Sequence, residues 1–187
     1  MLDSGSNVTV TPECLAQFGI LGSVSMELVF GVANPRVGLL NNGTEEHKGT
    51  QTMIDAYALL SKTEGINFVG NIEGKAIPFG ACDVLVTDGF TGNIVLKTIE
   101  GLSKFMMKKL KGIFMKNALN KLSALIIKKE FSSLKKSFDS SEYGGAPFLG
   151  ISKPVFKAHG SSDARAVKNA IRQAKEYLEK GVPDIID

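Results

Sequence analysis

The chain has 187 residues, of which 43% are hydrophobic and 22% charged, and a formal net charge of +3. That is enough sequence for one sizeable core, and the balance excludes a disordered or fibrous protein. No apolar run is long enough to cross a bilayer. Met1-Leu2-Asp3-Ser4-Gly5 lacks a basic-then-apolar secretory pattern, and Cys14 and Cys82 have neither disulfide-framework nor zinc-site spacing. A cytoplasmic, soluble protein without a cofactor is expected.

Thr11-Pro12-Glu13 supplies an N-cap, a proline at the first helical position and an acid in the first turn. It predicts a helix to about Phe30 in which Gly19 and Gly22 permit close packing. Arg36-Val37-Gly38-Leu39-Leu40 reads as a buried strand ending in the turn Asn41-Asn42-Gly43. A helix follows near Thr50–Lys62, with Met53, Ile54, Ala58 and Leu59 on one face. Asn67-Phe68-Val69 and Asp83-Val84-Leu85-Val86-Thr87 are further strands. Short apolar strands separated by helices or glycine turns imply an α/β protein whose parallel sheet is covered on both faces. Pro154–Ala158 reads as one more strand, and a helix over about Ser162–Lys180 closes the pattern.

Between these elements lies a helical insertion, residues 92–138, within what otherwise reads as a single domain spanning 1–187. Leu102, Phe105, Met106, Leu110, Ile113 and Phe114 recur at three- and four-residue steps, opposite Lys104, Lys108 and Lys111. Leu119, Leu122, Leu125 and Ile126, then Phe131, Leu134 and Phe138, form a second arm. Asn117 and Asn120 place a turn between the arms, predicting a protruding hairpin. Residues 101–138 hold ten lysines against Glu130 alone, a local charge of +9 that leaves −6 on the rest. Such a surface suits an anionic partner: nucleic acid, an anionic membrane or an acidic carrier protein. The phenylalanines occupy apolar helical positions rather than base-stacking platforms, so nucleic acid ranks last and is not expected as a partner.

Glycine and polar residues concentrate after the strands, where open α/β sheets bind ligands. The stretches are Asp3–Asn7, Asn41–Gly49, Gly70–Gly74, Asp88–Asn93, Ser141–Pro147 and His159–Asp163. Singly each reads as a turn; together they suggest a shared cleft in which backbone amides and helix starts meet an anion. There is no Gly-x-Gly-x-x-Gly after a strand, no P-loop and no Gly-x-Ser-x-Gly elbow. Cys14 and Cys82 read as packing residues, and His47 and His159 are too few for a histidine-based metal site. His159 either orients its loop or contacts a ligand.

These motifs resemble the PlsX family of phosphate acyltransferases. The likeness rests on Asp3-x-Gly5-x-Asn7, Val37-Gly38-Leu39-Leu40-Asn41-x-Gly43-x-Glu45, Lys48-Gly49 and Asp88-Gly89-Phe90-Thr91-Gly92-Asn93. It continues through Leu96-Lys97, Glu142-Tyr143-Gly144-Gly145-Ala146-Pro147 and His159-Gly160-Ser161-Ser162-Asp163. The resemblance implies transfer of an acyl group from acyl carrier protein to inorganic phosphate in phospholipid synthesis. It also implies a three-layer fold of the phosphotransacetylase and isopropylmalate dehydrogenase type, usually a homodimer, with peripheral membrane association and dimer contacts through the hairpin. Family members carry a further amino-terminal part with an Asp-Ala-Met-Gly-Gly-Asp motif, so the chain is expected to correspond to the carboxyl-terminal part. Ser6, Asn42 and His47 depart from the family's usual alanine, apolar residue and glycine.

Phosphate attack on a thioester needs a held anion, a stabilised oxyanion and a departing thiolate. Lys48 is assigned as the cation and Asn93 as the oxyanion donor; their plain alternatives are a solvated lysine and a helix cap. Asp3, Gly5, Asn7, Asn41, Gly43, Glu45, Asp88, Thr91, Gly92, His159 and Ser161 are candidates for binding phosphate or orienting Lys48. On the hairpin, Phe105, Lys108, Phe114, Leu119, Leu122 and Leu125 are candidates for membrane or dimer contact. Two other functions are open: a catalytically incomplete dimerising, membrane-associating module, or a phosphotransacetylase-like enzyme using coenzyme A thioesters.

Overall fold

The structure, a computed structural model, describes residues 1–137, 144–151, 153–158 and 162–182. By its internal contacts the chain forms two units, Met1–Val95 with Pro147–Val155 and Ala174–Asp187, and Leu96–Ala146 with Phe156–Gln173.

In the first unit, helix α1 (Pro12–Leu28) starts where its sequence predicts, with the Thr11 hydroxyl accepting the Cys14 N–H at 3.3 Å. Strand β1 (Arg36–Asn41) is followed by α2 (Gln51–Leu60), capped by the Thr50 hydroxyl, which accepts the Met53 N–H. Strands β2 (Asn67–Glu73) and β3 (Val84–Val86) both run parallel to β1, in the spatial order β2-β1-β3. A 3₁₀ helix, Gly74–Phe79, links β2 to β3. Leu2 adds a single parallel bridge to Val86, beside β3.

Alternation along these strands builds two apolar layers. Val37 and Leu39 of β1, with Val84 and Val86 of β3, pack against Leu15 of α1 and Ala56 and Leu60 of α2. Leu40, Ile72 and Leu85 face the other way, against Ala76, Ile77, Cys82 and Val95. The sheet is therefore covered on both faces, and each fully buried Leu or Val stabilises by roughly 1.5–3 kcal/mol. Gly19 and Gly22 do permit close packing: a methyl on Gly22 would collide with the Val84 side chain, and one on Gly19 with Leu60.

β2 is longer than its sequence suggests. Val37 pairs with Phe68 but Leu39 pairs with Asn71, so β2 carries one extra residue at this point. Gly70 sits there at φ +90°, a left-handed conformation that glycine adopts without steric cost. The strand resumes after this bulge instead of ending at Val69.

Helix α3 (Gly89–Phe114) begins in the first unit and continues in the second. It is followed by α4 (Ala118–Ile126) and α5 (Lys128–Ser137). Asn117 caps α4 by accepting the Asn120 N–H at 2.8 Å, and Asn120 donates to the Ile113 carbonyl at 2.8 Å. The stretch after Asn117 forms two helices, α4 and α5. Phe131 of α5 returns to Phe114 at the end of α3, with ring centroids 5.8 Å apart and edge-to-face. Gly145–Phe148 (β4) and Val155–Ala158 (β5) form a separate two-stranded sheet rather than extending the parallel one. Helix α6 (Ala164–Glu179) starts at Asp163, whose carboxylate accepts the Ala166 N–H at 2.8 Å.

Candidate active site

Because β1, β2 and β3 are parallel, their carboxyl ends at Asn41, Glu73 and Val86 share one edge of the sheet. Asp3 follows the Leu2 bridge to Val86 and joins them there. This edge carries two clusters: Asp3, Gly5 and Asn7 with Asp88, Thr91, Gly92 and Asn93, and Asn41, Gly43, Glu45 and Lys48.

In the first cluster, the Asp3 carboxylate is enclosed by its own loop. Oδ1 accepts the N–H groups of Ser4, Gly5 and Ser6, and Oδ2 accepts those of Ser6 and Asn7 and the Asn7 side-chain amide. Burial pushes the Asp3 carboxyl up, but the bonds from Asn7, Ser6 and Gly5 outweigh it and hold the group below its ordinary value. The loop is fastened to the start of α3. The Gly89 N–H donates to the Asn7 carbonyl at 2.8 Å, and Asn93 Nδ2 donates to the Ser4 carbonyl at 3.3 Å. Gly92 lies so close to the Asp3 carbonyl that any side chain there would collide with it. Asp88 caps α3, its Oδ1 accepting the Thr91 N–H at 2.8 Å. Asp3 and Asp88 thus use carboxylate oxygens to shape the loops, while exposed Asn93 stands at the helix start.

The second cluster is the loop between β1 and α2. Asn41 accepts the Asn42 N–H on Oδ1 and donates from Nδ2 to the Lys48 carbonyl at 3.0 Å. The Lys48 N–H donates to the Glu45 carbonyl at 3.1 Å. Gly43 is buried in this loop, where a side chain would meet the Glu45 carboxylate and the Lys48 stem. The Glu45 carboxyl is held low chiefly by its own backbone N–H, against the opposing effect of burial, with further help from the charges of Lys48 and His47. Lys48 itself is half-buried.

His159 and Ser161 lie outside the described residues, as do Glu142 and Tyr143. Sequence reasoning noted the stretch around Asn71 without assigning that residue a role. In the structure Asn71 is buried, and its Nδ2 donates to the Glu45 carbonyl at 2.8 Å. The only signal available in the sequence was an amide beside Gly70 in a stretch that reads as a turn after the strand. Burial pushes the Cys82 thiol up, which keeps it protonated and unsuited to nucleophilic attack. Among the described residues no three His, Cys, Asp or Glu side chains converge as a metal site.

The arrangement offers a cation and a neutral amide donor on one sheet edge, beside a helix start whose dipole favours negative charge.

The family model of fatty acid synthesis proteins matches residues 1–185. A phosphate acyltransferase of Acetivibrio thermocellus is 48% identical over 186 residues, covering 100% of this chain and 55% of that protein. One from Oceanobacillus iheyensis is 50% identical over 179 residues, covering 96% of this chain and 54% of that protein. The chain spans about half the length of the curated relatives it matches. With the match running through both loop clusters and nearly end to end, the chain belongs to the fatty acid synthesis protein family, the PlsX family of phosphate acyltransferases.

Proposed function

We propose that this chain carries the phosphate-binding and oxyanion-stabilising side of an acyltransferase site, moving an acyl group from acyl carrier protein to inorganic phosphate. The observation that supports this reading is the common sheet edge, which presents the Lys48 loop and the Asn93 helix start together. A phosphate oxygen attacks the thioester carbonyl carbon, forming a C–O bond and placing negative charge on the former carbonyl oxygen. Collapse breaks the C–S bond. The thiolate leaves with the electron pair, takes a proton from solvent, and acyl phosphate and free acyl carrier protein remain.

In this scheme Lys48 holds the phosphate and offsets its charge. Asn93 donates to the oxyanion: its amide nitrogen carries two protons, and the bond to Ser4 uses one. No protein nucleophile is required, in keeping with a Cys82 thiol that burial keeps neutral. The lysine-rich helices serve the same reading as the surface that meets the acidic carrier protein and an anionic membrane, and that pairs two copies of the chain. Support comes from apolar side chains left open among the lysines, with Leu119 73% and Ile126 79% exposed.

The test is acyl phosphate formation from acyl carrier protein thioester and phosphate, trapped as hydroxamate. A coenzyme A thioester in parallel separates this reading from a phosphotransacetylase. Product from the carrier thioester and little from the coenzyme A thioester is the expected result; the reverse preference overturns the substrate assignment.

A further inference from the structure

We infer that Asn71 is a positioning residue for Lys48, delivered to its place by the bulge in β2; this rests on the role proposed for Lys48. Phe68 packs with Tyr57 on the α1 and α2 side of the sheet. In an unbroken strand the residue three positions on would face the opposite side. The extra residue at Gly70 reverses that parity, so Asn71 pairs with Leu39, whose side chain belongs to the α1 and α2 layer. From there its Nδ2 reaches the Glu45 carbonyl at 2.8 Å.

That carbonyl is a junction, because it also accepts the Lys48 N–H. The Lys48 carbonyl in turn accepts from Asn41 Nδ2 at 3.0 Å. The backbone of Lys48 is thus held on both sides by strand-end amides: directly by Asn41, and through Glu45 by Asn71. The other half of the Asn71 amide argues for a specific purpose. Its Oδ1 is buried with no hydrogen-bond partner among the described residues, a cost that an aliphatic side chain in the same strand would avoid. The bond to Glu45 is what the amide provides and a leucine would not.

The experiment uses the full chain with Asn71→Leu and, separately, Gly70→Ala, which keeps the amide but disfavours the left-handed backbone of the bulge. Amide hydrogen exchange over residues 43–48 is expected to quicken about tenfold in each variant, the equivalent of one lost hydrogen bond. Turnover at low phosphate falls by a similar factor, mainly through the KM for phosphate. In a Lys48→Ala background, Asn71→Leu costs nothing further, because its effect passes through Lys48. Unchanged exchange in both variants, or an additive loss in the double variant, overturns the positioning role. Full turnover in Lys48→Ala alone overturns the proposed function, while exchange still decides what Asn71 holds.

Discussion

At the scale of single residues, the site is built by side chains that spend their polarity on backbone. Asp3 collects five N–H groups from the four residues after it, and Asp88 collects one at the start of α3. Those bonds favour the charged form of Asp3 over the cost of burial and hold its carboxyl below the ordinary value. Its folded value lies below the ordinary 3.8, so its contribution is full above that pH and is lost as pH falls through the folded value. Asp3→Asn should lower stability by about 1.5–3 kcal/mol at pH 7, as for hydrogen bonds to a charged group. It should also flatten the loss of stability below pH 4 in urea titrations; an unchanged acid limb would deny Asp3 this role. Lys48 and Asn93 are different: Lys48 holds its loop through backbone atoms, and Asn93 Nδ2 gives only one of its two protons to the Ser4 carbonyl. Lys48→Ala and Asn93→Ala should each reduce kcat by about 10²–10³-fold, the usual loss for one group that stabilises a developing anion. Retained cooperative unfolding in both variants would separate that loss from misfolding.

At the scale of elements, close approach sets the positions of the loops. Gly92→Ala places a methyl against the Asp3 carbonyl and should detach the 3–7 loop from α3, lowering both stability and activity. Gly22→Ala drives a methyl into Val84, where overpacking costs about 1–3 kcal/mol against a helix-propensity gain near 1. Equilibrium denaturation measures both, and the prediction is that only Gly92→Ala loses activity beyond its stability. Much of this architecture is legible in local chemistry. Thr11 announces a helix start, and its side chain makes the capping bond, as those of Thr50 and Asn117 also do. The register of β2 is not legible in that way. Gly70 reads as a strand end, whereas pairing with β1 carries the strand through it as a bulge. The break between α4 and α5 is equally silent, since Ile126-Ile127-Lys128 contains no glycine or proline. The contact of Phe131 with Phe114 accompanies the fold-back, and ring packing between distant residues leaves no local trace. The same holds for Asn71: its value lies in a carbonyl 26 residues away.

At the scale of the whole molecule, charge divides the sequence more sharply than composition does. The +9 of residues 101–138 lies on helices with open apolar side chains, while the catalytic candidates belong to the −6 remainder. Binding to anionic vesicles should therefore weaken with salt, because exposed charges are screened within about 10 Å at 0.1 M. At about 1 kcal/mol per lysine, replacing Lys121 and Lys128 by glutamine should weaken it about 30-fold. Vesicle sedimentation indifferent to both changes would remove the membrane from the account. No described helix is long and apolar enough to cross a bilayer. The family match covers the chain from residue 1 to residue 185, yet only about half of each curated relative. The most direct measurement is therefore hydroxamate-trapped acyl phosphate from acyl carrier protein thioester and phosphate, with this chain alone and with the rest of a relative supplied in trans. Product that disappears in Lys48→Ala and Asn93→Ala is the predicted result. Absence of product in both arms, or undiminished product from either variant, would contradict it.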